Sequence, residues 1–244
     1  MNAKEAGLLG GKLAFRQPDE GYRAAIDPIF LAAACPAGAG DRVADLGAGA
    51  GAASLSLAWR CPENSLVSVE RDGHVAAFLK QNITANGFDK RVMAVDGDIR
   101  TLSTTDIGGA VQAVLLNPPY LLEGAYTRSD SPARASANSE GDTPLADWIA
   151  AARRLSAPKA SITLIHRADR LSDLLAELSP AYGGVRIIPL WPRKGVAAKR
   201  IIITGQLGSR APLSLTAGVV VHQSDGSFTP EAQMVLRDGG PLTV

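Results

Sequence analysis

At 244 residues, with 46% hydrophobic content and a formal net charge of +1, the chain has apolar material for a buried sheet and too little positive charge for a general nucleic-acid binder. Its two cysteines, Cys35 and Cys61, lack Cys-x-x-Cys spacing and neighbouring histidines, so they read as small hydrophobes and no metal site is expected. The N-terminus has no signal-peptide core, and no stretch nears the ~20 apolar residues of a membrane span, so a cytoplasmic protein is expected.

In chain order, a hairpin around Lys12 to Phe15 leads into a helix over Asp27 to Ala34. Short apolar strands follow at 42–46, 65–69, 91–95 and 111–116, separated by helical patterns. One of these helices, 75–86, carries Val75, Phe78, Leu79 and Ile83 on one face and is closed by Asn86-Gly87. Residues 123–144 form the one long irregular stretch, whose place after Tyr120 reads as a substrate lid or a surface insertion. Then come a helix over 145–155, a strand from Ala160 to Ile165, a helix over 171–178, and strands Val185 to Leu190 and Arg200 to Leu207. The last two are expected to pair antiparallel. The alternation predicts an α/β fold with a doubly wound, mostly parallel sheet. No linker or repeat divides it, so 1–244 is read as a single domain, with 1–40 an N-terminal hairpin and helix extension and 41–244 the core.

The chemistry is concentrated at strand ends. After strand 42–46, glycines at 47, 49 and 51 open a helix and let backbone approach a ligand closely. That spacing also marks dinucleotide sites. Asp45, two residues ahead of Gly47, favours a different ligand: a carboxylate gains nothing beside a pyrophosphate but suits the cationic methionine portion of S-adenosylmethionine. Glu70 closes the next strand about 20 residues on, where an acidic side chain takes ribose hydroxyls. Asp98 and Ile99 follow the third strand and suit an adenine amine and ring. The fourth strand ends in Asn117-Pro118-Pro119-Tyr120. The prolines fix the backbone and offer no N–H, so the turn presents an amide side chain and carbonyl oxygens to a planar NH₂ group, with Tyr120 for stacking.

With these residues in place, the chain resembles the class I S-adenosylmethionine-dependent methyltransferases of the Asn-Pro-Pro-Tyr group. It is similar in particular to the bacterial enzymes that methylate N6 of an adenine in a valine tRNA. The likeness covers nearly the whole chain. It includes residues 17–34, where Tyr22, Arg23 and Asp27 match positions near the cofactor, and Phe228-Thr229-Pro230-Glu231 ahead of a last short helix. The chain departs from the family after the catalytic turn, with Arg134-Ala-Ser-Ala137-Asn138-Ser139-Glu140 where relatives show Arg-x-x-Ala-Arg-His-Glu. The resemblance implies a Rossmann-like fold, S-adenosylmethionine as cofactor with Asn117 also among the residues at it, a tRNA as the RNA partner, and catalytic roles for Asn117, Pro118 and Tyr120.

A basic window supports an RNA partner. Residues 178–224 hold six basic residues and no Asp or Glu, against 19 basic and 24 acidic in the remainder. Arg193, Lys194, Lys199 and Arg200, with Arg134 from the irregular segment, are the expected RNA contacts, and Trp191 offers a stacking surface. The histidines His74, His166 and His222 are read as structural. Three other readings stay open from the residues alone: a planar amine of another kind such as a protein glutamine, a nicotinamide-dependent enzyme using the glycine loop, and a non-enzymatic binding module.

Overall fold

The computed structural model describes residues 3–19, 26–119 and 143–243. Two strands, β1 (Ala3–Leu8) and β2 (Leu13–Pro18), form an antiparallel hairpin. The turn lies at Leu9–Gly11, earlier than the sequence pattern placed it, and Lys12 to Phe15 lead into and form part of β2. Helix α1 (Asp27–Ala34) follows. Then β3 (Arg42–Leu46), α2 (Ala52–Arg60), β4 (Ser65–Glu70), α3 (Gly73–Ala85), β5 (Val92–Asp96) and β6 (Val111–Leu116) alternate as expected.

Helix α3 starts two residues ahead of its apolar pattern because Asp72 caps it, accepting from the backbone of His74 (2.8 Å) and Val75 (3.3 Å). Past the irregular segment come α4 (Leu145–Leu155), β7 (Ser156–Arg167), α5 (Leu171–Leu178), β8 (Tyr182–Trp191) and β9 (Arg200–Leu207). Strand β7 is longer than its apolar run at 160–165, because Ser156 pairs with Val111 before a bulge and the regular ladder resumes at Ser161. The strand-like pieces β10 (Ser214–Leu215) and β11 (Val219–Val220) are too short to carry a period-two pattern, and α6 (Pro230–Gln233) is capped by Thr229.

The main sheet runs β10-β8-β9-β7-β6-β3-β4-β5, with β11 also on β8. Strands β7, β6, β3, β4 and β5 are parallel, and β9 is antiparallel to both β7 and β8. The expected C-terminal antiparallel hairpin is therefore β8–β9. Alternate residues of each central strand point to opposite faces. Val43, Leu66 and Leu115 pack with α1, α2 and α3, while Ala44, Leu46, Val67 and Leu116 pack with α4 and α5. Burial on both faces explains why these strands read as continuous apolar runs.

The chain runs outward from β3 to β4 and β5, then returns to place β6 on the other side of β3. That reversal opens a crevice at the carboxyl ends of β3 and β6, the position where open α/β sheets bind ligands. No helix among the described residues is long and apolar enough to cross a membrane.

Candidate active site

The turn after β3 uses its three glycines for different reasons. All have positive φ: +72° at Gly47, +57° at Gly49 and +94° at Gly51. A Cβ at Gly47 would lie 2.5 Å from the Trp148 indole, and one at Gly51 would lie 2.6 Å from Leu79. Those two glycines are required by the protein's own packing. At Gly49 nothing lies within 4 Å of the would-be Cβ, so there the backbone faces open space.

The acidic residues surround this loop. Asp45 is buried, and its Oδ2 accepts from the Ser54 hydroxyl (2.5 Å) and the Ser54 amide (3.1 Å) at the start of α2. Ser54 Oγ also lies 2.7 Å from Ser68 Oγ on β4. Burial pushes the Asp45 pKa up to about 6, with the Ser54 hydrogen bonds opposing and the negative charge of Glu70 adding. Asp45 therefore sits beneath the loop, in contact with α2, rather than on its surface.

Glu70 bridges two turns, accepting from Gly49 N (2.9 Å) and Asp72 N (2.8 Å). Asp98 is engaged by Arg100, which donates from its backbone (2.9 Å), from Nε and from its terminal nitrogen (2.5 Å). Those bonds hold its carboxyl below the usual range. Arg154 of α4 fixes the same turn, donating to the carbonyls of Ile99 and Leu102. Ile99 is buried.

Asn117 follows β6 directly, and Pro118 is buried behind it. Because Leu46 is in register with Leu116, Asn117 and Gly47 leave adjacent strands at the same level. Trp148, the floor under Gly47, also donates from its indole N–H to the Thr143 carbonyl (3.3 Å). Its part in the site was not legible because it reads only as the apolar face of α4 and meets Gly47 from a hundred residues away.

Two further residues, assigned to different parts of the site, contact each other. Asp27, matched to the cofactor side, forms an ion pair with Arg200, assigned to RNA: Arg200 Nε donates to Asp27 Oδ2 at 2.9 Å, and Asp27 is buried. The pair ties α1 to the start of β9, with the Arg200 side chain 34% exposed and that of Asp27 12%. Arg193, Lys194 and Lys199 are exposed on the β8–β9 connection. Leu190 pairs with Arg200, and Arg200 lies opposite Arg167 at the end of β7, so this connection emerges at the same end of the sheet as Asn117. The Trp191 indole N–H donates to the Ala217 carbonyl (2.9 Å), which fixes the ring against the β11 approach.

The histidines are held in packing positions. His74 meets Phe78 edge-on, His222 stacks on Phe228, and burial with nearby Arg170 and Arg200 pushes the His166 pKa down to about 4. Cys35 is buried, with its thiol pushed up to about 11 by desolvation. Tyr22, Arg23, Tyr120, Arg134 and nearly all of the 123–144 segment lie outside the described residues.

A sheet of this order, with a glycine turn at its reversal point, acidic residues at the next two strand ends and Asn-Pro-Pro at the fourth, has the architecture of the class I methyltransferases. Comparison with known proteins agrees. The model of the methyltransferase small domain matches residues 25–130. A tRNA1(Val) (adenine(37)-N6)-methyltransferase from Aeromonas hydrophila is 30% identical over 206 residues, covering 83% of this chain and 84% of that one. One of the same name from Porphyromonas gingivalis is 28% identical over 196 residues, covering 77% and 74%. Among solved structures, an Agrobacterium tumefaciens protein described as a predicted O-methyltransferase superposes with a TM-score of 0.73 at 25% identity, covering 89% of this chain and 98% of that one. The chain belongs to the methyltransferase family that these tRNA1(Val) (adenine(37)-N6)-methyltransferases represent.

Proposed function

We propose that this single-domain enzyme transfers the methyl group of S-adenosylmethionine to the exocyclic N6 amine of an adenine in a tRNA. The observation that carries the reading is the placement of Asn117-Pro118-Pro119 beside the glycine turn, one strand apart and level with it. An amine held at the first is thereby adjacent to a methyl donor held at the second. The names of the relatives support adenine N6 in tRNA over a protein glutamine or another planar amine.

The crevice fits the cofactor. Of the three turn glycines, Gly49 has open space where a Cβ would stand and offers a close backbone approach for the methionine part. Gly47 and Gly51 shape that cradle, and Asp45 braces it from below and supplies negative charge under it. Glu70 would take the ribose hydroxyls, Asp98 the adenine amine, and Ile99 the adenine face, and the family resemblance adds Tyr22, Arg23 and Asp27 to the residues expected at the cofactor. When bound, S-adenosylmethionine supplies an electrophilic methyl group on a sulfonium centre.

The protein's part is orientation and charge. Adenine N6 is a poor nucleophile because its lone pair is delocalised into the ring. Asn117 Oδ1 and the Pro118 carbonyl each accept one N6 hydrogen, which favours a pyramidal nitrogen and strengthens as positive charge develops on it. Tyr120 stacks on a base taken out of its loop, a contact worth ~1–3 kcal/mol. Holding amine and methyl in line supplies most of the rate. Arg193, Lys194 and Lys199, with Arg134, would meet the RNA backbone. The test is transfer of labelled methyl to total RNA from cells lacking this protein, followed by nucleoside identification. Label recovered as N6-methyladenosine in tRNA is the expected result; S-adenosylmethionine binding with no label in RNA would remove RNA as the substrate.

A further inference from the structure

Among the described residues, one buried side chain outside the strand ends joins two parts of the molecule that the sequence separates. Asn82, on the buried face of α3, is 1% exposed. Its Nδ2 donates to the carbonyl of Ala50 in the glycine turn (2.9 Å) and to the carbonyl of Arg16 in β2 (2.7 Å). Its Oδ1 accepts from the Arg16 amide (2.8 Å). Both donors and the acceptor of the carboxamide are used. One helical turn on, Asn86 makes the same two-way contact with Ala14, accepting from its amide (3.0 Å) and donating to its carbonyl (2.8 Å).

The two asparagines thus stand in for a strand along the outer edge of β2. The backbone groups of Ala14 and Arg16 point to α3, while β1 lies along the other edge of the hairpin. The contacts differ in one respect. Asn86 holds only the hairpin and the end of its own helix, whereas Asn82 holds the hairpin and the glycine turn together. Leu79, one turn earlier on α3, packs directly against Gly51. The helix therefore grips the turn beside the carbonyl that Asn82 reads.

We propose that Asn82 is a positioning residue that couples the N-terminal hairpin to the cofactor turn: fixing the turn fixes the Ala50 carbonyl, which fixes the carboxamide, which holds Arg16. The reverse also holds, because coupling between two sites is reciprocal: a docked hairpin favours the turn that receives the cofactor. A buried carbonyl or amide left without its partner is costly, so the three bonds form or fail together.

Because the coupling rests on the glycine turn being the cofactor's seat, the experiment starts with S-adenosylmethionine binding to the full-length wild-type protein by calorimetry. Absence of binding would overturn the seat itself, and the coupling with it. Given binding, backbone hydrogen exchange with and without S-adenosylmethionine reads the coupling without any substitution: the Arg16 amide is expected to exchange more slowly in the bound state. Unchanged exchange at Arg16, with the turn itself protected, would overturn the coupling while leaving the seat in place.

Substitution then separates positioning from general support. Asn82→Asp keeps the shape and the acceptor but loses both donors. It is expected to weaken S-adenosylmethionine binding about tenfold, with kcat at saturating cofactor little changed. Asn86→Ala, which loosens the hairpin but leaves the Ala50 contact, is expected to speed exchange at Ala14 and leave cofactor affinity within about twofold. Equal loss of affinity in the two variants would reduce Asn82 to a structural support and sink the proposal. Should Asn82→Asp fail to fold, the wild-type exchange result decides alone.

Discussion

The two ends of the crevice are built on opposite principles. At the carboxyl ends of β3, β4 and β5 each acidic side chain already has a partner: Asp45 with Ser54, Glu70 with the Gly49 and Asp72 amides, Asp98 with Arg100. On the far side of Asn117, the β8–β9 connection carries Arg193, Lys194 and Lys199 exposed to solvent. The first region is pre-organised, so a ligand that enters exchanges one set of hydrogen bonds for another and finds little left to order. The second acts through field and reach, which suits a large polyanion and costs little stability.

Substitutions can break this contrast, beginning with the residue that lies between the two regions. Asn117→Ala should lower methyl transfer by about 10²–10³ while S-adenosylmethionine affinity stays nearly constant, since only the developing charge on the amine loses its acceptor. Single-turnover rates alongside calorimetry would decide it, and retained turnover would remove Asn117 from catalysis.

Next in size is a contrast within the glycine turn. Gly47→Ala should destabilise the empty protein by about 2–4 kcal/mol, because its methyl meets Trp148 in a left-handed conformation. Gly49→Ala should cost only about 1–2 kcal/mol, from conformation alone, yet reduce cofactor binding as strongly. Urea titrations set beside binding isotherms test both; equal stability losses would mean that the turn does not divide into a packing part and a ligand part.

The pre-organised side should also pay in stability for its charge. The folded-state pKa of Asp45 is raised from 3.8 to about 6. Its favourable contribution is therefore present below the unfolded value and lost as pH rises through 6. Asp45→Asn keeps an acceptor for Ser54 and should stabilise the empty protein by up to about 3 kcal/mol above pH 6, with the gain gone below about pH 4. It should at the same time weaken S-adenosylmethionine binding. Thermal melts across this range check the sign, and a gain that grew toward acid would contradict it.

The smallest effects belong to the exposed side. Replacing Arg193, Lys194 or Lys199 singly by Ala should leave the melting temperature and cofactor affinity unchanged. Each should lower RNA affinity a few-fold and reduce the salt slope by about 1 for every cation that meets a phosphate. Arg200→Ala should behave unlike these three, costing stability through loss of the Asp27 pair.

Much of this was legible beforehand. Period-two and apolar runs located the parallel strands, because burial on both faces leaves a continuous apolar signature. The positions of the glycines, Glu70, Asp98 and Asn117-Pro118-Pro119 at the strand ends could be read beforehand because the features involved are local: a positive φ, a carboxylate at a strand end, a turn without N–H groups. The start of α3 was misjudged by two residues because Asp72 caps it through side-chain geometry that an apolar pattern does not register. Strand β7 outran its apolar run because a bulge lets Ser156 pair with β6.

What sequence alone determined, then, was the order of elements and the kind of group each strand end presents, since both follow from short-range sterics and from side-chain inventory. Only the tertiary structure decided who holds whom: Trp148 beneath Gly47, Ser54 on Asp45, Asp27 paired with Arg200, and Asn82 joining Arg16 to Ala50. Those partners lie from nine to more than a hundred residues apart in the chain, and a hydrogen bond is sensitive to ångströms of position that no spacing along a sequence specifies.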